Sequence, residues 1–358
     1  MKKELSWFVL FLLLSCSVKP AEEAFQMPEF GNSQKVKIAV ISDELPTRMA
    51  NHIFVRGDYL LALYHDGVEN NKCTIFNKNS GEIVGRYIYE GRGPYEMISI
   101  PTANALGDQI YVYPAFDPDQ GNIFSFNIDS LVRKGNAAIS SEFRQFKSWT
   151  TDVKYLPVGD QLLVFNNKGY LNRDTTGYHR LILEDSMGNE ISCQDYKPFD
   201  DPVAIWCLYQ QMVMEVTPSG TNAVIASVWG GILEIYTLPD LDLVKVLRLV
   251  DPALMFGNAP DVTENTTAGV RDIYTTDDCF YVSLGADVKL LENSEKDAAV
   301  RELKCNDIYV FDWEGNPIEH IEADYNVERF CLTEAKDTMY AIVSDREGRF
   351  FIGKASIR

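Results

Sequence analysis

Short runs in which apolar and polar residues alternate fill almost the whole chain, while the 3.6-residue period of an amphipathic helix is nearly absent. Such runs, rich in β-branched and aromatic residues and bounded by Gly, Asp, Asn and Pro, predict short half-buried strands. One unit recurs: an apolar strand, a tight turn centred on Asp or Asn, then a second apolar strand. Its copies occupy 52–60, 105–111, 155–162, 216–224, 273–281 and 332–340. The turn anchors Asp58, Asp108, Asp160, Asn222, Asp278 and Asp337 are spaced by 50, 52, 62, 56 and 59 residues. A repeat of this length accommodates one four-stranded propeller blade with modest insertions.

The segments between these hairpins count the blades independently. Five outer hairpins are expected, running from 74–76 to 83–84, 124–126 to 131–132, 181–183 to 191, 233–236 to 243–244 and 308–311 to 318. The sixth copy ends early, because 350–352 is followed only by 353–358, and one unpaired apolar segment, 36–41, stands at the front. Pairing the two removes two exposed sheet edges at once. The pattern therefore predicts an all-β fold: a six-bladed β-propeller of four-stranded antiparallel blades, closed by strand 36–41 on the C-terminal blade.

A length of 358 residues would otherwise suggest two domains. The N-terminus reads as an address. Met1-Lys2-Lys3 precedes an apolar run to Leu14, too short to span a bilayer, which ends in Leu13-Leu14-Ser15-Cys16. This resembles a bacterial lipobox, and implies cleavage after Ser15 with lipidation of Cys16. The expected organisation is a signal peptide over 1–15, a flexible tether over 16–34 and the propeller over 35–358. The mature chain would carry a net charge of −20. That acidity excludes a phosphate-backbone footprint, so nucleic acid is not an expected partner. Membrane attachment is expected through the lipid anchor, in the cell envelope and at the outer membrane, with the facing left open. Of the other cysteines, Cys73, Cys279 and Cys331 lie in apolar runs and read as buried thiols; Cys193, Cys207 and Cys305 complete the set, and the pairing is open.

With its lipobox, six repeats and the stretch Gly91-Arg92-Gly93-Pro94-Tyr95-Glu96, the chain resembles the TolB-like six-bladed propeller lipoproteins of Bacteroidetes. The corresponding stretch of that family is typically Gly-Arg-Gly-Pro-Gly-Glu-Phe, so Tyr95 and Met97 depart from it. The resemblance implies the fold and the compartment, and no activity.

In a propeller, the connections from second to third strands and from blade to blade share one face. Here they are long, at 65–72, 90–99, 114–121, 139–150, 167–177, 197–215, 250–270 and 285–305. Long loops on a rigid ring are where binding usually resides. Arg92, Tyr95 and Glu96 stand in this set. Arg92 presents a planar donor fork suited to a carboxylate or sugar, with Glu96 orienting it; alternatively the two pair and lock adjacent blades. Trp206 and Trp229, like Trp149 and Tyr170, offer aromatic faces for sugars or peptide side chains, or fill space between sheets. Asp117-Pro118-Asp119-Gln120-Gly121 opens like a calcium loop, but Ile128 replaces its closing carboxylate. The histidines His52, His65, His179 and His320 are scattered. No catalytic residue, metal site or cofactor is expected.

The leading expectation is a binding module for a glycan, peptide or envelope protein on the long-loop face. The rivals are a hydrolase or lyase with its site at the central funnel, and a structural subunit of an envelope complex.

Overall fold

The computed structural model describes residues 27–357 apart from 44, 46–49, 69, 94, 114–120, 145–151, 157–158, 167–178, 196–210, 251–268, 292–299 and 346. Strands β1 (Asn32–Val36) and β2 (Ala39–Ser42) come first, followed by blade one: β3 (His52–Arg56), β4 (Tyr59–Val68), β5 (Asn71–Asn77) and β6 (Ile83–Tyr89). Blade two is β7 (Thr102–Leu106), β8 (Gln109–Tyr113), β9 (Gly121–Asn127) and β10 (Ser140–Arg144), with helix α1 (Ile128–Lys134) between its last two strands. Blade three is β11 (Asp152–Leu156), β12 (Gln161–Phe165), β13 (Leu181–Glu184) and β14 (Glu190–Gln194), and blade four is β15 (Met212–Val216), β16 (Asn222–Ser227), β17 (Ile232–Thr237) and β18 (Asp242–Arg248). Blade five is β19 (Val270–Thr275), β20 (Cys279–Leu291), β21 (Val300–Asp312) and β22 (Pro317–Ala323). Blade six is β23 (Asn326–Leu332), β24 (Thr338–Ser344) and β25 (Phe350–Ser356), completed by β2. Each predicted turn anchor lies at the hairpin between the first two strands of its blade.

Closure from the N-terminus is as expected, with altered boundaries. The segment 36–41 forms two strands rather than one. Ala39 and Val40 pair antiparallel with Lys354 and Gly353 of β25, supplying the missing fourth strand. Upstream, β1 runs parallel to β22 as a fifth strand on blade five. The break falls at Lys37-Ile38, where the Ile38 N–H donates to the Asp324 carboxylate at 2.8 Å instead of to a strand. Residues 27–34, at the end of the stretch read as tether, lie against blade five. There Phe30 packs 5.1 Å from the Tyr309 ring and 5.4 Å from that of Phe311.

Two further expectations are corrected. Residues 131–132 are helical rather than the outer strand of blade two. Asn127 caps α1 by accepting the Ser130 N–H, and Ile128 and Leu131, one turn apart, bury their side chains, so the local signal is that of a short capped helix. The described residues of the segments 65–72 and 285–305 are largely strand, as extensions of the β4–β5 and β20–β21 hairpins.

Burial is organised by interface. A separate apolar cluster lies between each pair of neighbouring blades, such as Leu163, Phe165, Leu183, Met214, Ile225 and Tyr236 between blades three and four. Cys73, Cys279 and Cys331 are buried free thiols in these layers, as their apolar surroundings predict.

Candidate functional site

The six inner strands β3, β7, β11, β15, β19 and β23 line the central channel, and charged side chains bridge them. Lys154 on β11 donates to the Ala103 carbonyl of blade two at 3.1 Å and to Glu215 Oε1 of blade four at 2.7 Å. Asp152 accepts from the Thr102 hydroxyl of blade two and from the Met214 N–H of blade four. Thr275 of blade five donates to the Val216 carbonyl of blade four at 2.6 Å. Asp272 accepts the Phe330 N–H of blade six at 2.8 Å, and Arg271 pairs with Glu328 at 2.9 Å. Arg329 donates to the Asn51 carbonyl of blade one at 2.7 Å, while Arg56 donates to the Gly107 carbonyl of blade two at 2.8 Å. All six interfaces are thereby bridged by a side chain, that of blades one and two at an exposed turn. Such pairing is what makes charges tolerable at this depth.

A cavity of about 90 Å³ occupies the channel. His52, Arg56, Glu215, Asp272 and Arg329 line it, and it reaches Pro218 in a short inner turn. Burial shifts His52, Glu215, Asp272 and Arg329 away from their charged forms. The Glu215 carboxyl is pushed up to about 7, opposed by Lys154, and Asp272 up to about 6, opposed by Arg329. Burial alone would lower the Lys154 ammonium, but Asp152 and Glu215 outweigh it and hold it above the usual lysine value. The His52 imidazole is held well below its ordinary value by burial, then by Lys154 and Arg329.

The loop from β6 to β7 is a second constructed feature. Gly91 N–H reaches the Met97 carbonyl at 3.4 Å, and Met97 N–H the Tyr89 carbonyl at 2.9 Å. Inside it, the Glu96 carboxylate accepts the Gly93 N–H at 2.7 Å. A Cβ at Gly91 would lie 2.1 Å from a Glu96 carboxylate oxygen, so glycine is what lets Glu96 fold in. Glu96 thus braces the loop rather than pairing with Arg92, which is exposed and has no hydrogen-bond or ion-pair partner among the described residues. Tyr95 has φ of 66° and stands 40% exposed, flanked by Tyr89 at 54% and Ile98 at 51%. A left-handed backbone costs a non-glycine residue roughly 1–2 kcal/mol. Gly, which the family resemblance implies at the Tyr95 position, would adopt this φ without strain. Met97 is buried in the cluster between blades one and two.

Of the other sequence candidates, Trp229 is half-buried in the β16–β17 connection, beside Gly230 and Gly231, where Val228 and Gly231 hydrogen-bond to Gln211, Gly269 and Leu249. Cys16, Trp149, Tyr170, Trp206, Cys207 and residues 117–120 lie outside the described residues, and Gly121 opens β9. The channel residues Lys154, Glu215, Asp272 and Arg329 were not singled out from sequence, since each sits in a different repeat and only ring closure brings them together.

The class these features define is a six-bladed propeller with an ion-paired channel. The chain belongs to the TolB-like family, whose model, described as TolB-like 6-blade propeller-like, matches residues 29–335. Among solved structures, an exported protein of Bacteroides fragilis is similar at 13% identity and a TM-score of 0.52, over 91% of this chain and 99% of that one. Hydrazine synthase of Kuenenia stuttgartiensis is similar at 12% identity and a TM-score of 0.43, over 90% and 76% of the two chains. These likenesses concern the fold. No curated protein matches the chain. No helix among the described residues is long and apolar enough to cross a membrane.

Proposed function

We propose that the protein is a cell-envelope binding module, anchored in the outer membrane by lipid on Cys16, that takes a glycan or peptide at its long-loop face. The observation supporting this is the braced loop 91–97. Glu96 folds in against Gly91 and Gly93 and accepts the Gly93 N–H, and the position with positive φ carries an exposed tyrosine. Backbone strain retained at an exposed aromatic residue is the pattern of a binding position rather than of packing. Arg92 supplies the donor fork for a carboxylate or for sugar hydroxyls, Tyr95 the stacking face, and Glu96 the brace. Trp206 and Trp229 extend the same face in this reading. The test is a glycan and peptide array probed with the full chain and with Arg92→Ala. The expected result is a ligand whose affinity falls at least tenfold in the variant; unchanged binding by Arg92→Ala overturns the assignment. Cys16→Ser should move the protein from the membrane fraction to the soluble fraction.

A second reading, a hydrolase or lyase at the funnel, is favoured by one observation: Glu215 and Asp272, both raised toward neutrality, face the same cavity with a neutral His52. Turnover of an array ligand that is lost in Glu215→Gln but retained in Arg92→Ala would select it.

A further inference from the structure

The outer edge of blade three brings together three metal-ligating side chains of different chemistry. His179, Glu190 and Cys193 each place one ligand atom so that all lie within 4.8 Å of one another. The placement comes from a β-bulge. Glu184 pairs with Glu190 and Leu183 with Ser192, so Ile191 is the extra residue. Without it, Glu190 and Cys193, three positions apart, would point to opposite faces; the bulge turns Glu190 onto the face of Cys193. His179 reaches the same point from the segment leading into β13.

The histidine is already oriented. Its Nδ1 lies 2.9 Å from Asp195 Oδ2, and Asp195 Oδ1 accepts the Arg180 N–H at 2.8 Å, which fixes the carboxylate. A carboxylate accepts only, so Nδ1 donates and the Nε2 lone pair is left for a ligand. A carboxylate behind a metal-binding imidazole is the usual outer-shell arrangement at zinc.

We infer that His179, Glu190 and Cys193 form a mononuclear site for a borderline-soft divalent cation of the zinc class, buttressed by Asp195 and with a fourth position open to solvent. Thiolate and imidazole together select zinc-like ions over calcium or magnesium, which take oxygen ligands. Ligand atoms around tetrahedral zinc lie about 3.4 Å apart, given bonds of about 2.0–2.3 Å, so side-chain rotation of roughly 1 Å closes the set. The His179 side chain is 42% exposed, which leaves room for the water that completes the tetrahedron. Thiolate and carboxylate neutralise the dication. Cysteine binds as the thiolate, so the ion displaces the Cys193 thiol proton to solvent as the metal–sulfur bond forms.

Cobalt(II) added to the full chain tests the site. The expected result is one equivalent bound with the intense visible bands of four-coordinate cobalt and a thiolate-to-metal charge-transfer band, displaced by zinc. Cys193→Ser should abolish that band, and His179→Ala and Glu190→Gln should each weaken binding at least tenfold. Asp195→Asn should weaken it about 10–100-fold. Absence of the spectrum, its persistence in Cys193→Ser, or full affinity in His179→Ala overturns the inference. On the unaltered protein, zinc should protect Cys193 from alkylation, read by peptide mass; equal alkylation with and without zinc also overturns it.

Discussion

Gly81, in the outer turn of blade one, stands so close to Ile41 of the closing strand that a Cβ there would lie 1.9 Å from the Ile41 carbonyl oxygen. The contact sits where the two ends of the ring meet, and Gly81 also adopts φ of 75°. Gly81→Ala therefore meets both a backbone clash and left-handed strain. Calorimetry should show a loss of at least about 2 kcal/mol, several degrees in Tm. An unchanged Tm would mean that the ring does not close against this turn.

Between blades three and four, Arg180 and Glu234 are both fully buried and paired two-fold, at 3.1 and 2.5 Å, with the Tyr236 hydroxyl joining them. Glu234→Ala leaves the guanidinium without its main partner and should cost about 3–5 kcal/mol in denaturant unfolding. Replacing the set together, as Arg180→Met, Glu234→Leu and Tyr236→Phe, should recover most of that loss, because apolar groups of similar volume need no partner. Additive losses would show that the pair is not an isolated electrostatic unit.

The architecture was legible where the chemistry is local. Gly57-Asp58, Gly107-Asp108 and their counterparts punctuate the chain at each inner hairpin, and the missing outer strand could be counted. What was hidden depends on distance or on a single residue of register. The alternation over 36–41 reads the same whether one strand or two, and only Asp324, nearly three hundred residues away, shows why it breaks. Asn127 changed the meaning of Leu131-Val132 by capping a helix. Lys154 and Glu215 are separated by a whole repeat, and His179 and Cys193 meet only because Ile191 bulges. The braced loop was recognisable from its glycines, but the strain at Tyr95 required a φ angle.

The channel gives stability a pH dependence of defined sign. Folded Glu215 keeps its proton up to about pH 7, whereas the unfolded side chain releases it near about 4.5. Between these values the folded state binds more protons, so this group's contribution declines as pH rises and is level above about 7. Asp272 acts in the same direction up to about pH 6. Thermal melts between pH 5 and 7.5 should therefore show a smaller loss of Tm with rising pH in Glu215→Gln than in the unaltered protein. Parallel curves would mean that Glu215 ionises as an ordinary surface carboxylate.

The reading of the long-loop face as a binding surface rests most directly on Tyr95. Tyr95→Gly restores the residue that the backbone favours, and removes the proposed stacking face while leaving the Glu96 brace in place. Ligand affinity and unfolding free energy measured on the same variant separate function from packing. The account predicts at least tenfold weaker binding of an array-identified glycan or peptide, together with a gain in stability of roughly 1 kcal/mol from relief of the left-handed strain. Unaltered affinity, or a protein that loses stability, would contradict it.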